Sequence, residues 1–247
     1  MKIRSAIAAA ALWTLAVGAA AAPPPYASLL REHRFAEAER SANAALAHDP
    51  LDADALVAKA DAIVALDRDG RTEEALRLAE QCVAAHPRHS GCYLAYGNAL
   101  GAKAQHAGPV SAMGLATRIR DAFSKAVELD PHNTDARFAL LDYYLQAPAL
   151  VGGGKARART LAAQTDAIDP TTARLMQAQL ALAEKDYAQA QAILLAVQPG
   201  SDEMAADRQR DLLVALAQRY QAAGKHADSE GIVHIVRQRF PENDTAP

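Results

Sequence analysis

Five prolines stop helices at a near-regular interval, and that recurrence limits the possible folds more than any other feature of the chain. They close the strings AHDP, AAHP, ELDP, AIDP and RQRFP at Pro50, Pro87, Pro131, Pro170 and Pro241, separated by 37, 44, 39 and 71 residues. Proline lacks an N–H and disfavours helical geometry in the residue before it, so each one ends a helix. Ala, Leu, Glu, Gln and Arg recur at helical spacing from Tyr26 to Phe240, while runs of Val, Ile, Thr and Tyr bounded by turn residues are sparse. Between successive prolines there is room for two helices. The stops therefore punctuate helix pairs, and the interval of 71 residues reads as two periods with one proline missing. Five residues ahead of each stop stands Ala45, Cys82, Ala126, Thr165 or Val236, mostly small, at a height where two helices must approach closely.

Within the pairs the same spacings return. YLAYGNAL supplies Tyr93, Tyr96, Gly97 and Leu100, and LVALAQRY supplies Leu213, Leu216, Ala217 and Tyr220. In the second helices Ala38 with Ala42, Ala75 with Ala79, Ala158 with Ala162, and Ala190 with Leu194 stand four apart. The pattern resembles the tetratricopeptide repeat, a helix-turn-helix unit of about 34 residues with a Leu-Gly-x2-Tyr core in its first helix and Ala-x3-Phe ahead of a proline in its second. The resemblance covers nearly all of residues 22–247. It implies an all-α fold, an α-solenoid of about five to six antiparallel helix pairs, in which each pair buries its apolar face against the next. Departures from the family pattern are clear. No repeat carries the family's Trp, since Trp13 is the only one in the sequence, and the first repeat has only a stub of its first helix in PPPYASLLREHR. Insertions fall at ALDRDGRT, GAKAQHAGPVSAMGLATR and QAPALVGGGKAR, which read as loops in which function can vary. Asp52, Ser90, Asn133 or Thr134, and Thr171 or Thr172 are the expected N-caps, with Asp54 and Asp135 at the positive ends of the following helices.

The first residues are read as a leader rather than as part of the fold. Lys2 and Arg4 precede an uncharged run from Ser5 to Val17, and the small residues of VGAAAAPPP follow. This suits a signal peptide over residues 1–21, cleaved after Ala21, and an exported, periplasmic or secreted protein. An uncleaved anchor is the alternative, because Ser5 to Ala22 is barely long enough to span a bilayer. Loss of Lys2 and Arg4 takes the formal charge from −3 to −5. A mildly acidic body offers no footprint for nucleic acid.

Cys82 and Cys92, the only cysteines, stand five residues on either side of Pro87. On antiparallel helices joined at that turn they lie at one height, which predicts a disulfide in an oxidising compartment. Two readings stay open beside it: a pair of buried thiols, and a zinc site made by Cys82, His86, His89 and Cys92. In VGGGK, the residues Gly152, Gly153, Gly154 and Lys155 ahead of a helix suggest an anion site at its N-terminus, against the plainer reading of a permissive loop. It is not a P-loop, which needs Ser or Thr where Ala156 stands, and a preceding strand. The eight His are scattered, and neither HExxH nor a nucleophile elbow occurs. No catalysis, cofactor or resident metal is expected.

The resemblance implies that first helices line a concave groove for an extended peptide or a partner helix. Its groove-facing slots carry over to Asp54, Val57 and Asp61, then Leu94 and Asn98, then Asp135, Phe138 and Asp142. Alternating acid and apolar residues predict a basic or neutral polypeptide. The plainer reading has these Asp residues cap helices or face solvent. Two other functions remain open at this stage: a metal-binding protein or enzyme using the Cys/His turn or the Gly loop, and a self-assembling structural module.

Overall fold

A computed structural model of the chain describes residues 26–66 and 70–241. The leader expected at 1–21 lies outside the described residues, as does the centre of the first insertion at 67–69. Among the described residues the chain forms twelve α-helices: α1 (Tyr26–Arg31), α2 (Phe35–His48), α3 (Ala53–Ala65), α4 (Thr72–Ala85), α5 (Ser90–Gln105), α6 (Pro109–Leu129), α7 (Thr134–Gln146), α8 (Lys155–Asp166), α9 (Pro170–Ala183), α10 (Tyr187–Ala196), α11 (Glu203–Ala222) and α12 (His226–Arg239). One 3₁₀ turn, Ala149–Val151, lies between α7 and α8. No strand occurs among the described residues, and none of their helices is long and apolar enough to cross a membrane. Six antiparallel pairs stack in chain order as an all-α solenoid.

The stops work through one repeated hydrogen bond. Asp49, His86, Asp130, Asp169 and Phe240 each donate their N–H to the carbonyl four residues back, on Ala45, Cys82, Ala126, Thr165 and Val236, at 2.8–3.1 Å. The next residue in every case is the proline, which cannot donate the bond that would extend the helix. The small residues five before each proline are thus the last acceptors of their helices, and all but Ala45 are buried. The stop absent from the regular spacing is Pro199, 29 residues after Pro170. There α10 has only ten residues, so its stop comes early and off the expected interval.

Curvature follows from which helices touch. Each first helix packs on the next first helix, α3 on α5, α5 on α7, α7 on α9 and α9 on α11, whereas among the described residues second helices meet at most through long side chains, as where Arg118 of α6 reaches Glu80 of α4 at 3.7 Å. The stack therefore closes on its first helices and fans open on its second, which makes the first helices the concave wall. Bending brings the ends of the stack together. Arg31 at the end of α1 comes within 3.6 Å of Glu203 at the start of α11.

The core is built from small residues that let helices approach. All four predicted Ala-x3 pairs are buried, as are Leu100, Leu213, Leu216, Ala217 and Tyr220. Gly97 is required where α5 meets α6, because a Cβ there would fall 2.3 Å from the Phe123 ring. The second insertion is not a loop. It lengthens this hairpin instead, to 16 residues in α5 and 21 in α6, leaving only 106–108 as the turn, with Pro109 pre-set for the start of α6.

The caps divide between expectation and correction. Asp52 and Asn133 accept the N–H groups of Ala55 and Ala136 as expected. Ser90 does not cap α5: it is buried and its hydroxyl donates to the Ala126 carbonyl at the end of α6. At α9 the cap is Asp169, not Thr171 or Thr172, because Pro170 takes the first helical position and Asp169 accepts both threonine N–H groups. Asp186 and Asp202 cap α10 and α11 in the same way.

Cys82 and Cys92 are bonded to each other, with Cα atoms 5.3 Å apart and neither side chain exposed. Both sulfurs are therefore withdrawn from any metal, and among the described residues no group of three His, Cys, Asp or Glu is placed to hold one. His86 instead meets the Leu51 carbonyl, and His89 lies 3.3 Å from Asp54. A ten-residue ring constrains little chain entropy, so the double variant Cys82→Ala/Cys92→Ala should lose only about 2 kcal/mol in urea melts. A loss twice that size would show that the bond holds more than its own turn.

Candidate functional site

The first helices of the second, third and fourth pairs (α3, α5 and α7), the long α6 and the 3₁₀ turn enclose a groove of about 1010 Å³, with one residue reaching in from α11. Six of the eight slots expected from the sequence line it: Asp61, Leu94, Asn98, Asp135, Phe138 and Asp142. Asp54 and Val57 do not. They stand one to two turns nearer the start of α3, Asp54 beside His89 and Val57 packed against the cluster around the disulfide. Two parts of the wall come from the insertions. Met113, Ala116 and Ile119 line it from α6, and Pro148 and Val151 from the turn ahead of α8.

The polar side of the groove holds three carboxylates. Asp61 accepts a 3.1 Å hydrogen bond from the Asn98 amide. Burial pushes its carboxyl up to about 6, against a donated bond from Asn98 that pulls it down, with the charge of Asp135 adding to the rise. Asp142 accepts from the Gln179 amide, and burial raises its carboxyl too, offset by Arg208 and by that bond. Arg208, on α11, reaches back across the groove. Its guanidinium sits 4.3 Å from the centre of the Phe138 ring and pairs with Asp135 at 3.3 Å.

The sign of the Asp61 shift makes a test. Its folded value lies above the unfolded one of 3.8, so the folded protein holds that proton more tightly. The associated stability is fully present below the unfolded value and is lost as pH rises through about 6. Asp61→Asn keeps an acceptor for Asn98 and removes the buried charge. Its stability should exceed that of the wild type by about 1–2 kcal/mol near pH ~8 and match it near pH ~3.5, as read by thermal melts at both pH values. A gain that persists unchanged at low pH would mean that charge burial is not its source.

The glycine loop is committed to its own fold. Gly152 donates its N–H to Ala149, Gly153 to Pro148 and Gly154 to Tyr144, at 3.0, 3.1 and 2.7 Å. None of the three amides is left to cradle an anion, and Lys155 is exposed beside them. The expected anion site at Gly152, Gly153, Gly154 and Lys155 is thereby corrected to a structural turn. Gly152 and Gly154 have φ of 93° and 130°, which a side chain rarely adopts. Gly153 lies so close to Ala147 that a Cβ would meet its carbonyl oxygen at 1.8 Å.

The groove carries one residue that sequence reasoning missed and that changes its chemistry. Arg208 stands in the sixth pair, whose register depends on the stop at Pro199. The slots carried over from the family pattern ended at Asp142, although LVALAQRY marks the same helix as Arg208.

No protein-family model and no curated protein sequence matches the chain. Solved structures do. A thermophilic tetratricopeptide-repeat protein of Thermus thermophilus is 23% identical, with a TM-score of 0.59 over 76% of this chain and 95% of that one. Pseudomonas aeruginosa pilF is 16% identical, with a TM-score of 0.50 over 88% and 90%. The chain thus has the fold of the tetratricopeptide-repeat proteins.

Proposed function

We propose that this chain is an exported, non-enzymatic tetratricopeptide-repeat scaffold that binds an extended segment of another protein in its concave groove. The observation that carries the reading is the groove itself: an apolar floor of Leu94, Ile119, Phe123 and Phe138, flanked by Asp61, Asp135 and Asp142. An extended polypeptide places alternate side chains on opposite sides. One set meets the floor and the other the carboxylates, so a segment carrying basic residues is favoured. Export is supported by the leader at 1–21 and by the buried Cys82–Cys92 bond, which suits an oxidising compartment such as the periplasm.

A photo-crosslinking residue placed at Met113, on the groove wall, tests the reading in intact cells. The control carries it at Arg77, exposed on the outer helix α4. Polypeptide adducts from Met113 and not from Arg77 are the expected result. Equal labelling at both positions would refute groove binding, and adducts consisting only of this same chain would point to self-assembly instead.

A further inference from the structure

We propose that Arg208 is an internal stand-in for the partner: its guanidinium fills the subsite where an arginine side chain of the incoming polypeptide binds, and the partner must displace it. The inference rests on the groove reading above and specifies both its ligand and its regulation.

The way Arg208 is held sets it apart from the other embedded arginines. Arg137 is buried, with its guanidinium donating to the Pro131 carbonyl and to the Thr165 hydroxyl. Arg210 is buried as well and donates to Asp207 and Asp211 on its own helix. Arg208 instead crosses from α11 to α7, 73 residues back in sequence, for one 3.3 Å contact to Asp135 and a place over Phe138. Asp135 is more than half exposed, and an ion pair of that kind contributes little in water. Phe138 itself is only 1% exposed, so the guanidinium stacks on a ring withdrawn from water and this contact is the stronger part of the hold. The hold is thus one stack and one exposed ion pair, both of which an incoming guanidinium can replace in kind, and that is what a displaceable occupant requires.

The rest of the subsite is short of donors. Asp61 and Asp142 each accept a single amide hydrogen bond, from Asn98 and Gln179. Asp135 pairs with the Arg208 guanidinium and Asp142 feels its charge, so two carboxylates face one guanidinium, with Asp61 lining the same groove. A planar group with five N–H donors that also stacks on an aromatic face fits this arrangement, and a lysine ammonium satisfies only the charge. The occupant is therefore an arginine borne on an extended, partly apolar segment.

N-acetyl-arginine amide, which has no carboxylate of its own, and its neutral citrulline counterpart are suitable probes. Binding is read by titration calorimetry and by the ring resonances of Phe138 in wild type, Arg208→Gln and Asp135→Asn. Arg208→Gln should bind the arginine probe about tenfold more tightly than the wild type, with the Phe138 signals shifting, and citrulline should bind to neither. Asp135→Asn should weaken the probe in the Arg208→Gln background. Equal or weaker binding by Arg208→Gln would overturn the proposal, since Arg208 would then be bystander or ligand contact rather than competitor. Should the arginine probe bind no variant while Met113 still crosslinks polypeptide, the stand-in role falls and the groove reading stands. Should Met113 yield no adduct while the Arg208→Gln gain is seen, the subsite stands and the polypeptide reading falls.

Discussion

Gly153→Ala is expected to destabilise the protein by about 3 kcal/mol or more, a large effect for one added methyl group. The Cβ would lie 1.8 Å from the Ala147 carbonyl oxygen, which is backbone and cannot rotate aside. Relief requires the turn to move, and the turn is fixed from within: Gly153 donates to Pro148, Gly154 to Tyr144, and the Tyr143 hydroxyl to the Val151 carbonyl. Urea melts should show a lower midpoint with little change in slope. The same variant separates structure from recognition. Below its transition it should still crosslink polypeptide from Met113, because the turn supplies only Ala147, Pro148 and Val151 to the groove while α3, α5, α6 and α7 supply most of the rest. Unchanged stability would mean that the tight approach to Ala147 is not a feature of the folded chain.

The second large effect belongs to Arg137. Its side chain is 4% exposed and ties the turn at Pro131 to Thr165 near the end of α8, joining two successive units. Burial lowers its tendency to hold a proton, and the charges of Asp169 and Asp130 counter that. Arg137→Met keeps the bulk but leaves the Pro131 carbonyl without this donor, at a cost of about 3 kcal/mol. Arg137→Lys, able to reach one acceptor, should recover part of the loss. If Arg137→Met melts with the wild type, the hydrogen bonds across this turn do not hold the two units together.

What the sequence revealed and what it hid divide along physical lines. The stops at Pro50, Pro87, Pro131, Pro170 and Pro241 were legible because a missing N–H acts locally, whatever packs around it. The Ala-x3 slots were legible for a related reason: helix spacing fixes which residues share a face. Ser90 and Thr172 misled because a hydroxyl near a helix start is equally able to serve elsewhere. Ser90 serves the end of α6, and Thr172 yields to Asp169. The insertion before Ile119 looked like a loop for its glycines, yet Gly101 and Gly114 sit inside long helices stabilised by the hairpin they build. In the groove, Asp61, Leu94, Asn98, Asp135, Phe138 and Asp142 came from the slots that the family resemblance carries over helix by helix. Arg208 did not, because its role depends on how far six pairs bend, a sum of small rotations that no local spacing records.

That accumulated bend gives the molecule the form of a split ring, with its two jaws at Arg31 and Glu203. Among the described residues one pair of solvent-washed charges bridges the gap, at 3.6 Å, and dissolved salt weakens such a bridge. The bore of the ring is therefore set mainly by rotations at five junctions rather than by a fastened clasp, so the polypeptide ligand proposed above would be admitted from the side without being threaded through from an end.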